Sequence, residues 1–151
     1  MIKEYYSKER NADFYQKLRT IIRKWGKEAK GRRNKWFEYI LIAPDLFHLL
    51  TKLMMDKAVN FEMKSKLGLV ILYFISPIDL IPEALLGPGG YIDDIVLSAY
   101  VINILINQTS PEIVYKHWAG EGDILELLQK ITANAAKMVG SGIWSKLKRK
   151  V

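Results

Sequence analysis

The sequence predicts an all-α protein, a single compact bundle of about six or seven helices around a central helical hairpin. Three observations carry this. Apolar residues recur at three-and-four spacing along most of the chain, the period of one helix face. No alternation of apolar and polar residues is sustained over a strand length. The main glycine and proline clusters fall between the periodic stretches, where they punctuate helices. No internal repeat appears at solenoid periods. A chain of 151 residues suits one domain with a sizeable core, residues 1–151.

Asn11 and Asp13 stand where a helix running to about Lys30 would be capped. Phe14, Leu18, Ile21, Ile22 and Trp25 line its apolar side. Phe14 and Trp25 are expected in the core. The run Gly31-Arg32-Arg33-Asn34 breaks the pattern. A short apolar piece, residues 36–42, precedes Pro44. That proline suits the first turn of a helix lined by Leu46, Phe47, Leu49, Leu50, Leu53 and Met54. A turn over residues 56–60 leads to a helix over 61–75, which Pro77 and Pro82 are expected to stop.

Leu86-Gly87-Pro88-Gly89-Gly90 is the clearest loop. An apolar helix over residues 93–106 follows, ended by Asn107 and Thr109. Pro111 starts a short helix through Trp118, closed by Gly120 and Gly122. Residues 123–138 are amphipathic, with Ile124, Leu127, Leu128, Ile131 and Ala135 on one side. Gly140 and Gly142 separate them from a basic stretch, residues 143–151. The domain thus divides into a basic, aromatic helical segment (1–36), a core (44–108) and C-terminal helices with a basic amphipathic tail (110–151).

Charge is unevenly spread. Residues 1–36 carry 12 Lys/Arg against 4 Asp/Glu, residues 37–136 carry 6 against 12, and residues 137–151 carry 5 against none. A head of +8 and a tail of +5 therefore flank a middle of −6, for the net +7. Basic ends of this kind suit an anionic membrane surface, an acidic protein partner or nucleic acid. The plain alternative is that they fold over the acidic middle or stay solvated. There is no cysteine, which excludes disulfides and thiolate metal sites. The first ten residues are polar and charged, without the apolar stretch of a secretory signal. The expectation is a cytoplasmic protein, or one held peripherally at the cytoplasmic face of a membrane.

Residues 67–86 are long enough on paper to cross a bilayer. Asp79, Glu83 and two prolines lie within them, however, and a charge in mid-membrane costs several kcal/mol. Segments like this more often form buried core helices or re-entrant hairpins. The tail offers another route to lipid. Ile143, Trp144, Leu147 and Val151 fall at helical spacing, with Lys146, Lys148, Arg149 and Lys150 between them. Trp144 and these four cations are the candidate anionic-surface contacts. The head mixes aromatics with cations, which also suits nucleic acid, but no base-reading motif is present.

Four carboxylates crowd around the glycine-rich loop: Asp79, Glu83, Asp93 and Asp94. Folded together, they offer oxygen ligands to Mg2+, Mn2+ or Ca2+. Each acid also has a helix-terminus explanation. Ser76-Pro77-Ile78-Asp79 has the form of a capping box, and Asp93 and Asp94 would sit in a first turn, where free amides and the helix dipole favour acids. Lys64 and Lys66 could neutralise any that are buried. Both readings stand: no cofactor at all, or a divalent cation.

The residues Ser76, Pro77, Asp79 and Pro82, followed by Gly90, Tyr91, Asp93 and Asp94, carry a resemblance. The run Leu72-Tyr73-Phe74-Ile75-Ser76-Pro77-Ile78-Asp79-Leu80-Ile81-Pro82-Glu83 with Gly90-Tyr91-Ile92-Asp93-Asp94 resembles the hallmark of the YkvA-like family, a domain of unknown function (1232). The likeness spans about residues 66–105 and weakens back to Pro44, so 44–108 reads as the YkvA-like core. Glu83 departs from the family's usual Asp. The resemblance implies a membrane-associated protein and brings no reaction or substrate.

Other chemistry is thin. His48 and His117 are the only histidines, far apart in sequence, and His48 reads as a helix-face residue. No nucleophile elbow, phosphate loop or dinucleotide fingerprint is present. The leading functional expectation is a non-enzymatic, membrane-proximal or partner-binding domain. The alternatives are a divalent-metal enzyme using the acidic hairpin and a nucleic-acid-binding module using the basic head.

Overall fold

The structure, a computed structural model, describes residues 2–33, 35–80 and 91–140, with the side chains of 2–8, 30, 76–80 and 140 outside that description. Among the described residues every regular element is helical, as the spacing predicts. In chain order they are α1 (Ile2–Lys27), α2 (Ala29–Arg32), α3 (Phe37–Leu41), α4 (Ala43–Met55), α5 (Phe61–Leu80), α6 (Ile92–Gln108), α7 (Glu112–His117), α8 (Ile124–Ala133) and α9 (Ala135–Gly140).

Helix α4 packs against α5 on one side and α1 on the other, while α6 packs against α5, α8 and α9. The core forms where the predicted apolar faces meet. Leu18, Leu46, Phe47, Leu50, Leu67, Phe74, Ile95, Ile102 and Ile131 are sealed from solvent. Each such side chain contributes about 1.5–3 kcal/mol by burial. An aromatic row runs through this core. Phe14 of α1 meets Phe47 of α4 at 4.7 Å, Phe47 meets Phe74 of α5 at 5.6 Å edge-on, and Phe74 stacks on Tyr91 at 6.0 Å. Phe14 and Trp25 are both buried, as expected.

Several boundaries differ from the sequence reading. Asn11 and Asp13 cap nothing, because α1 already runs from Ile2. Asn11 is instead buried mid-helix, and its Oδ1 accepts from the Arg10 guanidinium at 3.3 Å. Helix α5 is not stopped at Ile75 but continues through Pro77 to Leu80. A proline inside a helix forfeits one hydrogen bond and kinks the chain without having to end it. Ser76 therefore lies inside a helix, and the Ser76–Asp79 capping box starts no helix. The predicted helix over 123–138 is split at Asn134 into α8 and α9.

The true caps are elsewhere. Asn60 Oδ1 accepts from Met63 N at 2.9 Å and opens α5. Asp123 Oδ1 accepts from Leu125 N at 2.9 Å and opens α8. Gly31 sets the joint between α1 and α2. A Cβ there would clash with the Trp25 carbonyl oxygen, so only glycine lets α2 fold back on the end of α1.

Candidate functional site

Three groups of polar residues stand out: the cationic end formed by α1 and α2, the polar side of α4, and the acidic first turn of α6.

At the cationic end, Lys17, Arg23, Lys24, Lys27, Arg32, Arg33 and Lys35 are all exposed. None of them forms an ion pair with a carboxylate. Arg32 donates instead to the Lys27 carbonyl oxygen at 2.8 Å, and Lys35 lies over the Trp36 ring at 5.1 Å. These seven cations of the head therefore do not fold over the acidic middle. Of the aromatic residues of this segment, Phe14, Trp25 and Trp36 are buried.

On α4, Asp45, His48 and Lys52 recur at three- and four-residue steps and share one side. The Tyr15 ring packs on His48 at 5.3 Å. Burial lowers the pKa of His48, with Lys52 adding to the effect, and burial raises that of Asp45. Beyond the end of the helix, Asp56 gathers partners from far along the chain. His117 Nε2 sits 2.7 Å from Asp56 Oδ2, Lys116 Nζ lies at 3.5 Å, and the Ala58 amide donates to Oδ1 at 2.8 Å. The His117 hydrogen bond, then the Ala58 amide, hold the Asp56 carboxyl down at about 2. This pair latches α7 to the end of α4. Sequence reasoning took residues 56–60 as a turn and missed the latch. Its partners are 61 residues apart, and no local pattern signals such a contact.

The first turn of α6 holds two of the four predicted metal ligands. Asp93 is half-buried, and Asp94 is 7% exposed. Asp94 Oδ2 is shut off from solvent and meets no hydrogen-bond donor. Burial, reinforced by the Asp93 charge, pushes the Asp94 carboxyl well above the usual carboxylate range. Both acids do sit in the first turn of α6, where the helix dipole favours them, but Tyr91 opens the helix without a side-chain cap, and the helix end gives Asp94 Oδ2 no hydrogen bond. Nor do the lysines. Lys66 pairs with Glu62 at 3.8 Å, and no ion pair joins Lys64 or any other cation to Asp94. Tyr91 is buried against Phe74. The side chains of Ser76, Pro77 and Asp79, together with Pro82, Glu83 and Gly90, lie outside the described residues, as do Trp144, Lys146, Lys148, Arg149 and Lys150. Among the described residues no three of His, Asp and Glu converge as a metal centre.

The exposed sides of α5 and α6 have their own character. Leu69, Leu72 and Tyr73 on α5, and Tyr100 and Ile104 on α6, are each at least a third exposed. No charged residue occurs in residues 67–78 or 95–111. Among the described residues, no helix is long and apolar enough to cross a membrane.

Comparison with known proteins agrees with the resemblance. Residues 63–100 match the family described as "Protein of unknown function (DUF1232)". The chain is 22% identical over 122 residues to "Uncharacterized protein ORF9" of Methanothermobacter thermautotrophicus, a match spanning 81% of this chain and 84% of that protein. No solved structure matches.

Proposed function

We propose that the chain is a non-enzymatic docking domain that meets an anionic membrane surface through its cationic end. The observation that carries this is the set of seven exposed cations from Lys17 to Lys35, none of them paired with a carboxylate. Cations that stabilised the fold would be expected to sit against the acids of the middle segment. Near an anionic leaflet each contributes about 1 kcal/mol of attraction, falling off with salt. The uncharged exposed sides of α5 and α6 favour an apolar neighbour in addition. Single-stranded nucleic acid is a weaker fit, because stacking needs exposed rings and those of Phe14, Trp25 and Trp36 are in the core. The setting this reading implies is the cytoplasmic face of a membrane, with the tail cations Lys146, Lys148, Arg149 and Lys150 as a second contact.

Co-sedimentation with vesicles tests it, comparing phosphatidylserine-containing with purely neutral lipid. Binding is expected only to the anionic vesicles and should weaken as salt rises. Replacing Lys24 and Lys27 with alanine should weaken it by roughly thirtyfold, the equivalent of about 2 kcal/mol. Removing residues 143–151 measures the tail's share. Absence of binding to anionic vesicles by the full chain at low salt would sink the proposal. A salt-dependent shift of nucleic acid without lipid binding would redirect it to the weaker reading.

A further inference from the structure

We propose that Asp94, with Asp93 beside it, binds a divalent, oxygen-preferring cation such as Mg2+, Mn2+ or Ca2+ at the start of α6. The state of the Asp94 side chain carries the inference. It is 7% exposed, and its Oδ2 has neither solvent nor a donor. A carboxylate oxygen left this way gives up its hydration and regains nothing, which folded proteins rarely tolerate.

The usual remedies can be checked one by one. A lysine or arginine would compensate, but none forms an ion pair with Asp94, and Lys66 is engaged by Glu62. A helix amide would serve, but no hydrogen bond caps the start of α6 through a side chain. A hydroxyl would serve, and Ser98 lies one turn along. Its Oγ donates instead to the Asp94 main-chain carbonyl oxygen at 2.6 Å. A bound cation would satisfy the carboxylate where these do not. Asp93 supplies a second carboxylate at the same turn. It is close enough for its charge to act on Asp94, and it is half-buried rather than sealed.

The donors define the class of ion. The chain has no cysteine, His117 is held by Asp56, and the ligands on offer are carboxylate oxygens. Oxygen donors select hard cations over zinc. One or two carboxylates with several retained waters is the set through which proteins ordinarily hold Mg2+. This site is separate from the lysines and arginines of the docking proposal, and neither depends on the other.

The test uses the full chain. Mn2+ is titrated and followed by the loss of the free ion's paramagnetic resonance signal. Thermal unfolding is compared in MgCl2, CaCl2 and chelator at matched ionic strength. Wild type is expected to take up Mn2+ at a single site, and its midpoint should rise by roughly 5 °C at saturating divalent ion. Asp94→Asn should abolish both effects and, in chelator, unfold at a higher temperature than wild type. Asp93→Asn should weaken Mn2+ binding by about tenfold or more. Absence of Mn2+ uptake by wild type overturns the proposal, as does uptake unchanged in Asp94→Asn. Should Asp94→Asn fail to fold, Asp93→Asn decides: an unaltered Mn2+ affinity there also overturns it.

Discussion

The carboxylates of Asp56, just beyond α4, and Asp94, in the first turn of α6, differ in both depth and company: Asp56 is half-buried, whereas Asp94 is buried. Around Asp56 stand an imidazole, an ammonium and an amide, and its carboxyl is held down at about 2. Around Asp94 there is a second carboxylate and no donor to Oδ2, and its carboxyl is pushed up. Burial pushes one acid up, and hydrogen-bond partners hold the other down. One acid joins two elements, and the other has no donor at its buried oxygen.

Four substitutions would break or sharpen that contrast. The largest effect is expected from Phe47→Ala. Phe47 is sealed in the core between Phe14 and Phe74, and its loss should cost about 3–5 kcal/mol in denaturant unfolding. That cost should fall on the whole bundle at once, which makes it the control for effects confined to either acid.

Next is Asp56→Asn, which weakens a charged hydrogen bond to His117 and removes the attraction of Lys116. A loss of about 1.5–3 kcal/mol is expected. His117→Ala should be non-additive with it, because the two residues make one contact. The latch also has a pH signature. Asp56 has a folded value of about 2, below its ordinary 3.8. A depressed acid stabilises the fold above its unfolded value, and that contribution is lost as pH falls from about 4 through about 2. Acid unfolding of Asp56→Asn should therefore be shallower than that of wild type across this window.

The smallest change, and the one of opposite sign, is Asp94→Asn. In chelator at neutral pH it should raise stability by about 1 kcal/mol, because it removes a buried charge that nothing compensates. A loss of stability there would mean that Asp94 has a partner, and the contrast with Asp56 would collapse.

How much of this was legible in the sequence follows from the range of each interaction. The helices, the turn at Asp56 and the core positions of Phe14 and Trp25 depend on spacing and neighbours, and the sequence shows them. Helix α5 passing through Pro77 was not legible, since the penalty of a proline is local while the packing that outweighs it is not. The same holds for Asn11, whose preference for caps yields to burial inside α1. The latch joins residues 61 apart, and no pattern in either neighbourhood announces it. The acids at the start of α6 were visible as a cluster. That Asp94 has neither lysine nor amide is a fact of three dimensions.

The aromatic row has a consequence for what counts as a unit of this protein. Its contacts join positions 33, 27 and 17 residues apart, from Phe14 through Phe47 and Phe74 to Tyr91. The stretch shared with the family, residues 63–100, contains only the last two rings. The first two come from α1 and α4, which lie before it. Excised alone, the shared stretch would present Phe74 to water. The stretch that matches the family is thus smaller than what must fold together in this chain. In this chain the flanking helices α1 and α4 supply the rings that shield Phe74.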